Sequence, residues 1–178
     1  MQVNRKIVIT GGPGTGKTVI IDHLKSHGHY CLDEISREVI LAARAEGVEQ
    51  LFLTEPILFS QRLLDGRIAQ YQEVESVPKT IFFDRGIPDT VAYMDYFNTA
   101  YPEHFKNACR NHPYDMVFLL PPWEEIYCCD NERYESFEQA TAIYNALKAT
   151  YLNYGYTPIE VPLDTVENRV NYIESQLK

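Results

Sequence analysis

The chain has 178 residues, the length of about one domain, and its 45% hydrophobic and 23% charged residues are close to the average for globular proteins. This composition excludes a disordered or collagen-like chain. Sixteen Lys and Arg against 25 Asp and Glu give a formal net charge of −9, so we expect no broad basic surface and neither nucleic acid nor an anionic membrane as a partner.

Five short apolar runs are typical of the strands of a buried parallel sheet. They lie at residues 6–10, 30–33, 80–84, 116–120 and 157–161. Between the strands, apolar residues recur every three or four positions, which indicates amphipathic helices. These helical patterns lie around residues 19–24, 64–71, 87–97, 137–151 and 166–177. Alternating strands and helices predict right-handed βαβ units in a three-layer α/β fold, in which ligands bind at the carboxyl ends of the strands.

Residues 11–18 read GGPGTGKT and match the phosphate-binding pattern GxxxxGK[ST] in full, between a strand pattern and a helical one. Glycines let successive backbone N–H groups turn inward toward phosphate oxygens, and the following helix adds the partial positive charge of its N-terminus. We expect Lys17 to contact the β- and γ-phosphates of ATP and Thr18 to bind Mg²⁺. The complete set of expected ATP ligands is Gly11, Gly12, Pro13, Gly14, Thr15, Gly16, Lys17, Thr18 and Val19.

Charged residues follow the second and third predicted strands. The second strand leads into Asp33 and Glu34, where a carboxylate can orient or deprotonate an acceptor hydroxyl, and the sequence leaves open which of the two does so. Asp84 ends the third strand in the position of a Walker B aspartate, a ligand of Mg²⁺. Arg37 and Arg85 are expected to bind an anionic or hydroxylated acceptor. In the alternative interpretation these residues only cap helices and form ion pairs.

Three connections carry further predictions. The helix after the second strand is expected to begin with the Ser36 hydroxyl as its cap. Residues 123–136, after the fourth strand, are expected to fold over the triphosphate as a lid that places Arg133 at the transferring phosphoryl group. An exposed helical pair of Asp130 with Arg133 is the alternative for this segment. After the fifth strand, residues 161–164 offer backbone against which an adenine ring can rest.

The remaining features predict a reduced, cytoplasmic protein with one domain over residues 1–178. The four cysteines form no CxxC pair and accompany no histidines at zinc-site spacing. No apolar run approaches the roughly 20 residues of a membrane span, and the first six residues lead directly into a strand pattern rather than into the apolar region of a signal peptide.

Several segments occur in an order that resembles a known family. After the phosphate loop come DEISRE at residues 33–38, FFDRG at 82–86, FLLPPW at 118–123 and RYE at 133–135. Together they resemble the AAA-type P-loop ATP-binding family that includes the kinase domain of NadR and, more broadly, the nucleoside and nucleotide kinases. The resemblance covers nearly the whole chain and implies a P-loop NTPase fold with sheet order 2-3-1-4-5. It also implies that Asp84 and Arg85 lie where phosphate meets acceptor, and that Asp33 or Glu34 accepts the proton.

The sequence therefore predicts a Mg²⁺-ATP-dependent kinase of a small hydroxylated metabolite, with a nucleoside or nucleotide as the first candidate. The alternative is a nucleotide-binding switch or slow ATPase that acts through a protein partner. A motor ATPase is disfavoured because Asp84 is followed by Arg85 rather than by a glutamate that activates water. A GTPase is disfavoured because no Asn-Lys-x-Asp follows the fourth strand to bind guanine.

Overall fold

The computed structural model describes residues 4–127 and 135–177. The strands are β1 (Arg5–Gly11), β2 (Tyr30–Leu32), β3 (Thr80–Asp84), β4 (Met116–Leu120) and β5 (Ile159–Glu160). The helices are α1 (Lys17–Ser26), α2 (Ser36–Ala45), α3 (Leu51–Thr54), α4 (Pro56–Glu73), α5 (Ile87–Tyr96), α6 (Glu103–Asn111), α7 (Phe137–Asn153) and α8 (Val166–Ser175). None of these helices combines the length and apolar character that crossing a membrane would require.

The strands form one parallel sheet in the order β2-β3-β1-β4-β5, which confirms the predicted order 2-3-1-4-5. The central strand β1 is apolar because both of its faces are covered by helices. Its register pairs Ile9 with Asp84 of β3 on one side and with Phe118 of β4 on the other. The carboxyl ends of the three central strands therefore meet at one edge of the sheet.

Alternate residues of each strand face opposite helical layers, as the period of two along a strand requires. On one face, Val8 and Phe83 pack in a cluster with residues of α4, α5, α6 and α7. On the other face, Ile7, Ile9 and Phe82 pack against α1 and α8. The expected three-layer α/β architecture is confirmed.

The helix predicted around 64–71 begins earlier, at Pro56, and smaller differences from the predicted boundaries lie at the two edge strands and at the start of α2. β2 ends at Leu32 and β5 covers only two residues, because an edge strand is held by a single neighbour and stops where that pairing stops. The predicted Ser36 cap is wrong: the helix already includes Ser36, and Ile35 occupies the cap position without a side-chain bond. The backbone N–H of Ser36 instead donates to the carboxylate of Glu34 at 3.2 Å.

Candidate functional site

The phosphate loop is the turn between the end of β1 at Gly11 and the start of α1 at Lys17. Gly14 and Gly16 have φ angles of 72° and 79°, in the left-handed region that favours glycine. A Cβ atom on Gly14 would also lie 2.5 Å from the ring of Tyr127. Within the loop, the buried Thr15 hydroxyl donates to the Gly12 carbonyl at 3.0 Å. The loop therefore has a backbone conformation that few other residues could adopt.

Lys17 and Asp84 face each other across the mouth of this loop. Lys17 Nζ lies 3.5 Å from Asp84 Oδ1, and that oxygen is buried without a hydrogen-bond partner among the described residues. Burial raises the pKa of the Asp84 carboxyl. Burial and the neighbouring positive charge of Arg85 lower the pKa of Lys17. Burial thus makes the ionised forms of Asp84 and Lys17 less favourable. An ionic ligand that contacts both side chains would offset this loss of solvation free energy.

Glu34 lies between two arginines at the end of β2. Its Oε2 is 2.6 Å from Arg85 Nε, and its Oε1 is 3.2 Å from Arg67 Nη2. Burial alone would raise the pKa of Glu34, but the charges of Arg67, Arg85 and Lys17 outweigh it and hold this pKa at about 2. Glu34 is therefore an ionised carboxylate at neutral pH, with its side chain 21% exposed at the edge of the sheet.

Arg85 has an unusual backbone for a residue with a side chain. Its φ is 72°, which costs a non-glycine residue roughly 1–2 kcal/mol. Its N–H donates to the carbonyl of Ile9 at 3.0 Å, while its guanidinium pairs with Glu34 and Asp89 and lies 5.3 Å from the centroid of the Tyr93 ring. Strained backbone of this kind clusters at functional sites. Here it directs the Arg85 guanidinium toward Glu34 and Asp89 at the carboxyl ends of the strands.

Two residues of this network, Arg67 and Asp89, were not among the sequence-based candidates. Asp89 is fully buried in the first turn of α5. It accepts hydrogen bonds from the hydroxyls of Thr10 and Tyr151 and from the backbone of Gly86, in addition to its ion pair with Arg85. The signal for Asp89 in the sequence is an acidic residue three positions after a glycine that begins a helix, the spacing of a capping box.

Arg67 lies on the buried side of α4, 4% exposed. It donates to the Thr90 hydroxyl at 2.8 Å and to Glu34. The adjacent Gly66 allows α4 to pack closely against Ile35, because a Cβ atom at that position would lie 2.5 Å from Cδ1 of Ile35. This close packing places Arg67 beside Glu34. The signal in the sequence is a cation three residues after Leu64 in the apolar stripe of a helix, where a charge needs a partner.

The other sequence candidates lie in different surroundings. Asp33 is 69% exposed and forms an ion pair with Lys25 at 2.5 Å, away from the arginines, and Arg37 is exposed on α2. Thr18 and Val19 are exposed in the first turn of α1. Arg133 and half of the predicted lid, residues 128–134, lie outside the described residues. Glu34, Asp84, Arg85 and Lys17 are thus brought together, and Asp33 and Arg37 are not.

A five-stranded parallel sheet in this order, with a phosphate loop between β1 and α1 and an aspartate at the end of β3, defines a P-loop NTPase with a kinase-like, nucleotide-binding fold. The model of an AAA domain family matches residues 6–169. The chain belongs to this AAA domain family.

Individual proteins of known name are also similar to this chain. A nucleotide-binding protein of Pseudomonas fluorescens (strain Pf-5) is 24% identical over 112 residues, or 61% of this chain, and the match spans 38% of that protein's length. Deoxyadenosine kinase from M. mycoides, solved with the products dCMP and dCDP, gives a TM-score of 0.71 at 19% identity, over 97% of this chain and 98% of that one. NadR in complex with NR gives a TM-score of 0.71 at 16% identity, over 98% of this chain and 50% of that one. The two structures establish the likeness of fold.

Proposed function

We propose that the protein is a Mg²⁺-dependent kinase that transfers the γ-phosphoryl group of ATP to a hydroxyl of a small metabolite of nucleoside type. The observation that carries the proposal is the ionised Glu34, held between Arg67 and Arg85 beside Lys17 and Asp84. A carboxylate held at this edge, beside the phosphate loop, lies where a base would orient an acceptor hydroxyl that approaches a γ-phosphate. The kinase-like fold and the nucleoside-type ligands named for the similar structures support the acceptor class.

The nucleotide binds at the phosphate loop in this proposal. The inward N–H groups of the loop and the N-terminus of α1 hold the phosphate oxygens, and Lys17 contacts the β- and γ-phosphates. The adenine ring lies against the side chain of Val19, which is 51% exposed, and the backbone of residues 161–164. Lys17 also offsets the negative charge that shifts toward the departing ADP as transfer proceeds.

The residues present fit a magnesium ion. Mg²⁺ prefers carboxylate and hydroxyl oxygens, and the buried Asp84 Oδ1 lacks a hydrogen-bond partner in the described part of the chain. Thr18 supplies the second oxygen from the exposed first turn of α1. Asp84 and Thr18 would therefore hold the ion, and when bound it would neutralise charge on the phosphates.

Glu34 acts on the acceptor. The acceptor oxygen forms a bond to the γ-phosphorus as the bond from that phosphorus to the leaving oxygen of ADP breaks, and the hydroxyl proton passes to Glu34. With a pKa of about 2, Glu34 is a weak base, so its main effect is to orient the hydroxyl until the proton becomes acidic late in the transfer. Arg85 and Arg67 fix the carboxylate in place for this role.

The test is a ³¹P NMR assay of Mg²⁺-ATP with pools of nucleosides, nucleotides and cofactor precursors. We expect ADP and one new phosphorylated product from one pool, both absent with Lys17→Ala. Glu34→Gln is expected to lower kcat by about 10²-fold, the lower end of the contribution of an acid–base group, because Glu34 is a weak base that mainly orients the hydroxyl, whereas the matched control Asp33→Asn stays near the wild-type rate. ATP that binds and survives every pool would refute the kinase and favour the switch that acts through a protein partner.

A further inference from the structure

A buried arginine of α8 contacts the backbone of the phosphate loop. Arg169 of α8 is 2% exposed, and its Nη2 donates to the carbonyl of Thr15 at 3.0 Å. Its Nη1 is 3.1 Å from the place where a Cβ on Gly16 would lie. The guanidinium carbon is 5.9 Å from the centroid of the Trp123 ring.

Among the described residues, no carboxylate forms an ion pair with Arg169, and its Nε is buried without a hydrogen-bond partner. Burial lowers the pKa of its guanidinium. Leaving a buried cation without a counter-charge is expensive. A structural link between α8 and the loop could be made by a neutral side chain, whereas a guanidinium also brings a positive charge to the Thr15–Gly16 peptide.

The bond to Thr15 also determines where the next N–H points. In a trans peptide the C=O and N–H groups point in opposite directions. Because Arg169 holds the Thr15 carbonyl on its own side of the loop, the N–H of Gly16 in the same peptide points to the other side, into the loop. The neighbouring carbonyls are engaged as well. The Gly12 carbonyl accepts from the Thr15 hydroxyl at 3.0 Å, and the Gly16 carbonyl accepts from Ile20 N at 3.2 Å.

We propose that Arg169 is a positioning residue for nucleotide binding: it orients the Thr15–Gly16 peptide so that the Gly16 N–H faces the phosphates, and it adds a buried positive charge behind them. This inference rests on the proposed nucleotide site. It is independent of the acceptor and of whether transfer occurs, so it can fail or succeed separately from the kinase.

The test compares Arg169→Met with the matched control Arg5→Met by calorimetric titration of Mg²⁺-ATP and Mg²⁺-ADP. Arg5 also donates to a backbone carbonyl near the C-terminus, that of Leu177 at 2.7 Å, but it lies at the start of β1. Arg169→Met is expected to weaken both nucleotides by about 10- to 100-fold, the range for one lost hydrogen bond from a charged group. Arg5→Met is expected to bind both nucleotides as the wild type does.

A second readout separates positioning from simple stabilisation. In wild-type protein labelled with ¹⁵N, the Gly16 amide resonance should shift downfield on addition of Mg²⁺-ADP, and Arg169→Met should lose most of that shift. Arg169→Lys retains the charge without the planar fork of donors; it is expected to fold and to bind with intermediate affinity, which covers the case in which the methionine variant does not fold. In an activity assay, the KM for ATP should rise while the KM for the acceptor stays constant.

Two results would overturn the inference. One is wild-type affinity for both nucleotides in folded Arg169→Met and Arg169→Lys. The other is an equal loss of affinity in Arg5→Met, which would assign the effect to general destabilisation. If Arg169→Met weakens nucleotide binding as expected but wild-type protein transfers no phosphate, the inference stands and the kinase proposal fails.

Discussion

Replacing Asp89 by asparagine removes one charge from the centre of the buried network at almost constant side-chain size. In the wild type, one carboxylate oxygen accepts from the backbone N–H of Gly86 at 3.0 Å and also from the hydroxyl of Tyr151. The other accepts from Thr10 and pairs with Arg85 at 3.1 Å. When the asparagine amide oxygen takes the place of the oxygen that accepts from Thr10 and Arg85, the amide NH2 group faces the N–H of Gly86. Two hydrogen-bond donors then face each other, and neither bond can form.

The expected loss of stability follows from the burial of this pair. Removing one partner of a buried ion pair costs about 3–5 kcal/mol, because the remaining charge loses its compensation. Here the remaining charge is Arg85, which keeps its ion pair with Glu34 but loses the fully buried one of its two carboxylate partners, and whose left-handed backbone already costs about 1–2 kcal/mol. Against a total stability on the order of 5–15 kcal/mol, Asp89→Asn should lower the free energy of unfolding by about 3–5 kcal/mol and Tm by about 6–20 °C.

Urea unfolding followed by circular dichroism measures this loss, with Asp95→Asn as the matched control. Asp95 lies on the same helix, is exposed, and accepts one bond from the Tyr101 hydroxyl at 2.8 Å, so its substitution should cost about 1 kcal/mol or less. An Asp89→Asn variant within about 1 kcal/mol of the wild type, or no less stable than the control, would refute the argument that this network holds the site together.

Three further predictions concern single residues of the site. The pKa of Glu34 is lowered from 4.5 to about 2, so its contribution to stability is complete above the unfolded pKa and is lost as pH falls toward 2; Glu34→Gln should flatten that part of the profile in urea unfolding from about pH 6 to about pH 2. Burial raises the pKa of Asp84, so its charge destabilises the folded state at neutral pH, and Asp84→Asn should raise Tm without nucleotide in a thermal-shift assay; an unchanged or lower Tm would contradict this sign. Gly66→Ala should lower the free energy of unfolding by about 1–3 kcal/mol, since the added Cβ overpacks against Ile35, although alanine is the better helix former. A more stable Gly66→Ala variant would show that the Ile35 side chain moves aside.

Local patterns predicted the five strands and the phosphate loop because their signals lie within a few residues of one another. A run of alternating strands and helices also limits the number of possible sheet topologies, and the resemblance supplied the order of the strands. The same local reasoning failed at Ser36, because α2 begins one residue earlier than predicted and its cap position is Ile35. The N–H of Ser36 is taken by the Glu34 carboxylate, which a tertiary ion pair with two arginines holds in place.

The choice between Asp33 and Glu34 could not be made from the sequence because both follow the same strand. β2 ends at Leu32, so no strand alternation fixes the directions of the two side chains that follow it. The structure directs Glu34 to Arg67 and Arg85 and leaves Asp33 to Lys25. Arg67 is the deciding partner, and 33 residues separate it from Glu34. No short-range spacing could have related them, and the Thr10 and Tyr151 partners of Asp89 and the Thr15 partner of Arg169 are more remote still in the chain.

The charges of the site, taken together, predict how nucleotide binding depends on the metal. Three cations, Lys17, Arg67 and Arg85, are matched among the described residues by three carboxylates, Glu34, Asp84 and Asp89. A triphosphate therefore brings negative charge that these six groups do not balance and that Arg169 at the loop offsets by only one unit, and Asp84, the carboxylate nearest to Lys17, repels it unless Mg²⁺ lies between them.

Calorimetric titration of ATP into wild-type protein and Asp84→Asn, each with Mg²⁺ and with EDTA, measures this dependence. In wild-type protein, removal of Mg²⁺ should weaken ATP binding by at least about tenfold, the equivalent of one charge interaction of about 1.4 kcal/mol. Asp84→Asn should bind more weakly than wild type when Mg²⁺ is present, because a ligand of the ion is lost. In EDTA the order should reverse, because the substitution removes the repulsion together with the ligand. An Asp84→Asn variant that binds ATP more weakly than wild type under both conditions would show that Asp84 supports the loop through Lys17 and does not act through the metal.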